Sequence, residues 1–176
     1  MANLGHEGLP YRVTECTEED LFGLGECARQ IWTRYYPSII GMPQVIYMLN
    51  LMYSPGLLKR QRKEGHIFLK LLDCTSRWAG FAGVEPRPDG ILFLHKFYIQ
   101  LHLRGRGVAP ILLKAVEEVA HRTGRQRIQL NVNRGNRAAL RFYMKHGFKI
   151  LYAFDLDIGQ GFQMNDYRME KRLGKS

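Results

Sequence analysis

The run Arg104-Gly105-Arg106-Gly107-Val108-Ala109 sets two arginines among two glycines where an apolar, strand-like stretch gives way to a helical one. Amide N–H groups in the first turn of a helix lack intrahelical partners and point one way, and the helix dipole adds positive potential, so a phosphate fits there. Gly105 and Gly107 let the backbone come close to that guest. The run is not a P-loop, because no Gly-Lys-Ser/Thr closes it, and it lacks the spacing of the dinucleotide fingerprint. A second set follows about 30 residues later, where Asn136, Ala139 and Tyr143 fall at steps of three and four and share one helical face. An amide, a small residue and a phenol then line one groove. Each also has a plainer use, Asn136 as a helix N-cap and Tyr143 as a packed aromatic with its hydroxyl satisfied.

The elements that must hold these residues follow from periodicity and punctuation. Pro110 suits the first turn of a helix over 107–122, along which Val108, Ile111, Leu112, Ala115 and Val119 recur at helical spacing. A short strand at Tyr11 to Glu15 precedes a helix capped by Thr17 that runs to Tyr35. Pro37, Gly41 and Pro43 interrupt the chain before helices at Gln44 to Met52 and from Pro55 to near Gly65. Ile67 to Leu72, Trp78 to Val84 and Ile91 to Ile99 read as an antiparallel meander. Beyond the 107–122 helix come a strand at Arg127 to Val132, a helix at Asn136 to His146, and final strands near Phe148 to Leu156 and Phe162 to Lys171.

At 176 residues the chain fits one domain, with residues 1–9 and 173–176 expected to be flexible ends. No apolar run is long enough to span a bilayer and the N-terminus does not read as a signal peptide, so a cytoplasmic protein without membrane partners is expected. Cys16, Cys27 and Cys74 are odd in number and lack metal-ligand spacing, so no metal is expected. The net charge of +10 is concentrated in residues 101–150, which carry eleven Lys/Arg against two acids. A polyanionic small ligand, a nucleic acid or a merely solvated basic face would each account for it.

Taken together and in this order, the two motifs resemble the GNAT acyltransferase superfamily. Arg104, Gly107 and Ala109 meet its Arg/Gln-x-x-Gly-x-Gly/Ala signature, and Asn136, Ala139, Tyr143, Gly147 and Phe148 meet its second. The resemblance, softer at the chain's two ends, is to a bacterial branch of unassigned substrate. It implies an α/β (α+β) single-domain fold, with a mixed, mostly antiparallel sheet of about seven strands, flanked by helices, whose fourth and fifth strands splay apart. It implies acetyl-CoA as cosubstrate, its pantetheine lying beside Phe97, Tyr98 and Ile99, its pyrophosphate on the amides of residues 104–109, and Lys145 or a neighbouring arginine on the remaining phosphate. It implies Tyr143 as the acid that protonates the departing thiolate.

The base is less clear from this resemblance. Asn131 stands where many members place a glutamate, and it cannot take a proton. His95 is the candidate base, with a packed, hydrogen-bonded histidine as its plainer reading and Glu85 as a second choice. The implied activity is acetyl transfer to a primary amine of a small molecule or protein. A non-catalytic acyl-CoA sensor is the alternative, and nucleic-acid binding ranks last because no recognition module is present. Acceptor specificity is expected from region 31–65 and the Pro86-Gly90 turn, and homodimerisation, by analogy, from Phe162 to Met169.

Overall fold

The computed structural model describes residues 10–174; residues 1–9, 175 and 176 lie outside the described part. The elements are β1 (Tyr11–Glu15), α1 (Asp20–Tyr35), α2 (Pro37–Ile40), α3 (Met42–Tyr53), α4 (Pro55–Lys63), β2 (Ile67–Asp73), β3 (Trp78–Pro86), β4 (Ile91–Ile99), α5 (Val108–Arg122), β5 (Arg127–Asn133), α6 (Arg137–Lys145), β6 (Lys149–Gly159) and β7 (Phe162–Arg172). The expected order of strands and helices is present throughout. Helix α1 begins at Asp20 rather than directly after Thr17, because the Asp20 carboxylate turns back to accept the Thr17 N–H at 2.8 Å and Lys70 Nζ at 2.6 Å. Pro37 opens a four-residue helix instead of a plain break, since its fixed φ suits a first turn.

The seven strands form one sheet in the order β1-β2-β3-β4-β5-β7-β6. Only β4 and β5 run parallel; every other neighbouring pair is antiparallel. The amphipathic stripe of α5 packs Val108, Leu112, Val116 and Val119 on one face of the sheet, and Leu140, Phe142 and Tyr143 of α6 join that cluster. Leu24, Ile31, Val45 and Leu58 of α1, α3 and α4 cover the other face with Phe68 and Phe81. Among the described residues no helix is long and apolar enough to cross a membrane.

Two details of register decide where a ligand can enter. Strand β4 pairs with β5 only from Ile91 to Leu94, while β5 pairs with β7 along its whole length. On its other edge β4 pairs Gly83 with Lys96 and Val84 with Leu94, so His95 is an extra residue, a β-bulge. Beyond it the edge of β4 that faced β5 has no strand partner among the described residues, and a gap opens in the sheet. Strand β7, which holds Phe162 to Met169, is paired on both sides, so the free edge at this end of the sheet belongs to β6.

The strand that borders the gap is held from behind by a close approach at Gly80. A Cβ there would lie 2.4 Å from the Tyr98 carbonyl oxygen and 2.8 Å from Ile99 Cδ1. We expect Gly80→Ala to destabilise the fold by about 2 kcal/mol, as overpacking does, measured by urea unfolding. The same substitution should displace the Tyr98-Ile99 backbone.

Candidate active site

The gap between β4 and β5 opens into a cleft of about 370 Å³. Its walls come from five directions: α1 and α3, the bulged half of β4, the turn before α5, the end of β5 with α6, and β7. Most of the residues singled out by sequence meet here. His95, Phe97, Tyr98, Ile99, Arg104, Gly105, Ala109, Asn136, Ala139 and Tyr143 all line it. Gly107 is the left-handed N-cap of α5, Val108 is buried in the core so that only its backbone can contact a ligand, and the side chains of Arg106 and Lys145 are exposed outside the cleft.

The turn before α5 has the form an anion needs. Gly105 and Gly107 have φ of +74° and +76°, and nothing lies within 4 Å of where a Cβ would be built on either. Among the described residues, no carbonyl accepts from the amides of Gly105, Arg106, Gly107, Val108 or Ala109. This is an open nest of N–H groups at the N-terminus of a 15-residue helix. The unpaired edge of β4 leads towards it, with Phe97 stacked on Phe142 at 5.7 Å. An extended, amide-bearing chain ending in a pyrophosphate, which is the form of coenzyme A, fits a strand edge that runs into such a nest.

Asn136 is both a cap and part of the wall. Its Oδ1 accepts the Ala139 N–H at 3.2 Å, closing the first turn of α6, and also accepts the Tyr35 hydroxyl at 2.9 Å. Arg104 lies over the Tyr35 ring at 3.8 Å. Tyr143 is 7% exposed and makes no hydrogen bond through its hydroxyl among the described residues. Burial, and then nearby Tyr36, hold its phenol well above the usual value, so it remains protonated.

His95 stands at the bulge with Nε2 2.8 Å from Glu85 Oε2. Burial pushes its imidazole down to about 4 even though the hydrogen bond to Glu85 opposes that shift. At neutral pH the ring is therefore neutral, with Nε2–H donating to the Glu85 carboxylate. Asn131 is engaged by Arg168, whose Nε donates to its Oδ1 at 2.6 Å. The carboxylate that sequence reasoning missed is Asp166. It sits on β7 opposite Asn133, lines the cleft at 3% exposure, and has no hydrogen-bond or ion-pair partner among the described residues. Burial pushes its carboxyl up to about 6 against the pull of Arg134. Its only sequence signal was alternation along β7, which puts Met164, Asp166 and Arg168 on one face.

Trp32, Tyr35, Tyr36, Met48 and Met52 from region 31–65 line the cleft. The Pro86-Gly90 turn does not reach it. That turn joins the far end of β4, where Arg87 N–H donates to Ile91 O and Gln126 N–H to Gly90 O, away from the splayed half.

A family model described as the acetyltransferase (GNAT) family matches residues 26–148. An uncharacterized N-acetyltransferase of Mycobacterium tuberculosis is 35% identical over 97 residues, which are 55% of this chain and 62% of that protein. The chain thus spans less than two thirds of the length of this relative. Among solved structures, a paia N-acetyltransferase of Thermoplasma acidophilum in complex with coenzyme A superposes with a TM-score of 0.78 at 24% identity, covering 93% of this chain and 99% of that one. A GCN5-related N-acetyltransferase of Rhodopseudomonas palustris gives the same TM-score at 18% identity, covering 96% and 100%. Fold and cleft agree with the match over most of the chain, which therefore belongs to the acetyltransferase (GNAT) family.

Proposed function

We propose that this protein transfers the acetyl group of acetyl-CoA to a primary amine, carried by a small molecule or a protein, within a ternary complex. The observation that carries this reading is the convergence of three things on one cleft: the edge of β4 that β5 leaves, the open amides before α5, and a buried phenol and a buried carboxyl, Tyr143 and Asp166, in its lining. Acetyl-CoA supplies an activated acyl thioester. The amides of residues 105–109 hold its pyrophosphate, and Phe97 and Ile99 offer backbone groups along its arm. Lys145, exposed on the last turn of α6, meets a further phosphate as an ordinary ion pair.

The chain's own groups then divide the proton work. Asp166 accepts the proton of the amine, because a carboxyl at about 6 is ionised at neutral pH yet basic enough to act. Tyr143 keeps its proton on Oη until the sulfur departs and gives it there. Backbone N–H groups at the bulge stabilise the charge that develops on the carbonyl oxygen. His95 is the weaker base of the two, its ring pushed down to about 4 and one nitrogen committed to Glu85. The sensor reading arose from Asn131, and Asp166 supplies the carboxylate that Asn131 does not.

The reading is tested by titrating the protein with acetyl-CoA and following thiol release with a panel of amines. Binding without turnover across the panel would favour the sensor; no binding would remove both. Tyr143→Phe should lower turnover by about 10²-fold while changing the affinity for acetyl-CoA by less than about threefold. Equal turnover in mutant and wild type would take Tyr143 out of the mechanism.

Asp166→Asn separates activity from stability. In the native enzyme kcat/KM should rise with pH through about 6 and then level off, because the base must lose its proton to act. The variant should lose that limb together with most of its activity. Its stability should move the other way. A carboxyl raised from 3.8 to about 6 on folding binds more protons folded than unfolded, so it costs stability as pH rises between those values. Asp166→Asn should therefore be more stable than wild type at pH 8, by on the order of 2 kcal/mol, and the gain should fade towards pH 4. A gain that is equal at both pH values would show that Asp166 is not a strained carboxylate.

A further inference from the structure

Outside the acetyl-transfer chemistry, the bulge in β4 has a second consequence. It turns His95 towards the neighbouring strands, where Glu85 of β3 and His66, just before β2, lie next to it. The register that pairs Ile67 with Val84 puts His66 directly opposite Glu85. The rings of His66 and His95 are 5.1 Å apart and inclined by 32°. One nitrogen of each histidine and one oxygen of Glu85 all lie within 4.8 Å of one another. Among the described residues His66 Nδ1 is buried and has no hydrogen-bond partner. A donor atom withdrawn from water without a partner is costly to leave unmade, and here it adjoins two other ligating groups.

We propose that His66, Glu85 and His95 form a binding site for a divalent transition-metal ion of the zinc type. Two imidazoles and one carboxylate are the donor set of open zinc sites and of the 2-His-1-carboxylate facial triad, and imidazole selects such ions over magnesium or calcium. Ligand atoms around one tetrahedral zinc stand about 3.3 Å apart, given bonds near 2 Å, so His66 must close by at most about 1.5 Å while the 2.8 Å contact of His95 with Glu85 opens slightly, both within the reach of rotamer adjustment. Glu85 is oriented for this from outside, since Arg87 Nε donates to its Oε2 at 2.9 Å and Nη2 forms an ion pair with the same oxygen, as hydrogen bonds to ligating carboxylates commonly do. Arg87, stacked on Phe93 at 4.0 Å, and Lys96, whose Nζ donates to Gln61 Oε1 at 3.1 Å, add positive charge nearby. The site is therefore weaker than a structural four-ligand zinc centre. An ion there would tie β2, β3 and β4 together at the point where β4 has just lost β5.

The full chain, freed of metal by a chelator, is titrated with Zn²⁺ by calorimetry and with Co²⁺ by visible absorption. One ion per chain is expected, with a Co²⁺ spectrum free of thiolate charge-transfer bands. His66→Ala and Glu85→Gln should each weaken binding at least tenfold, the loss usual when a ligand or its support is removed, while His102→Ala, an exposed histidine away from the cluster, should not change it. His66→Gln replaces the alanine variant if that one fails to fold. No binding at millimolar Zn²⁺ would overturn the proposal. So would binding that survives both substitutions, or a thiolate band that disappears in Cys74→Ser, since Cys74 is the exposed cysteine.

Discussion

Strand β4 can satisfy its backbone on both edges only as far as Leu94, and that constraint governs the rest of the molecule. The single extra residue at His95 changes the phase of the strand against β3, while β5 is held to β7 by seven consecutive pairs and cannot follow. What remains is a row of backbone donors and acceptors inside a sheet, next to side chains that are otherwise packed. Such groups have a large affinity for a partner, because leaving each unpaired away from water costs about 1–3 kcal/mol. A ligand that brings its own amides is therefore received as a strand would be. The open edge also sets direction, since β4 runs from the bulge towards the turn that ends in the amide nest before α5.

The two sides of the gap differ in what they contribute. The α5 side supplies fixed partial charge from the backbone, at the unpaired amides before the helix. The α6 and β7 side supplies titratable groups. Burial acts on both Tyr143 and Asp166 in the same sense, favouring the protonated form, but from different starting points. The phenol is driven further from ionisation and keeps its proton. The carboxyl is brought only to about 6 and is still ionised at neutral pH. One dielectric environment thus leaves one group protonated and the other ionised at neutral pH, and it does so at the expense of folding stability, because among the described residues Asp166 has no counter-charge in contact.

Much of this was legible in the sequence where a residue type has only one physical use. Gly105 and Gly107 had to mark a turn that side chains rarely adopt, and both take positive φ. The short apolar runs in 67–99, set apart by turn residues, read as strands, and the 3.6-residue stripe after Gly107 had to be a helix. Asn136, Ala139 and Tyr143 had to share a face whatever they touch. Asp166 could not be read in this way. A lone aspartate on an alternating strand acquires meaning only when β7 inserts between β5 and β6, an order that neither periodicity nor turn residues specify. The Pro86-Gly90 turn was placed at the cleft because a turn has no address until one knows which end of β4 splays. His66, Glu85 and His95 are spread over thirty residues and meet only through the register of three strands and one bulge.

Tyr35 explains how the acceptor wall and the cofactor side are kept in one geometry. Its ring carries Arg104 on one face, and its hydroxyl binds the same Asn136 oxygen that caps α6. Helix α1, the turn before α5 and the start of α6 are thereby joined through one side chain. Trp32 of this helix stacks at 4.5 Å on Tyr36, the residue that follows its last turn. A shift of α1 that widened the acceptor end would therefore also pull on the nest and on the helix that carries Tyr143. Reactions governed by positioning lose rate steeply with small displacements, so under the proposed acetyl transfer this brace would favour a rigid cleft that selects an amine by shape. The lining of that cleft is aromatic and methionine-rich, and Asp166 is its only carboxylate among the described residues. One negative charge facing an apolar wall suits an amine with a single charge and an apolar body better than a chain of several ammonium groups, each of which would need its own counter-charge.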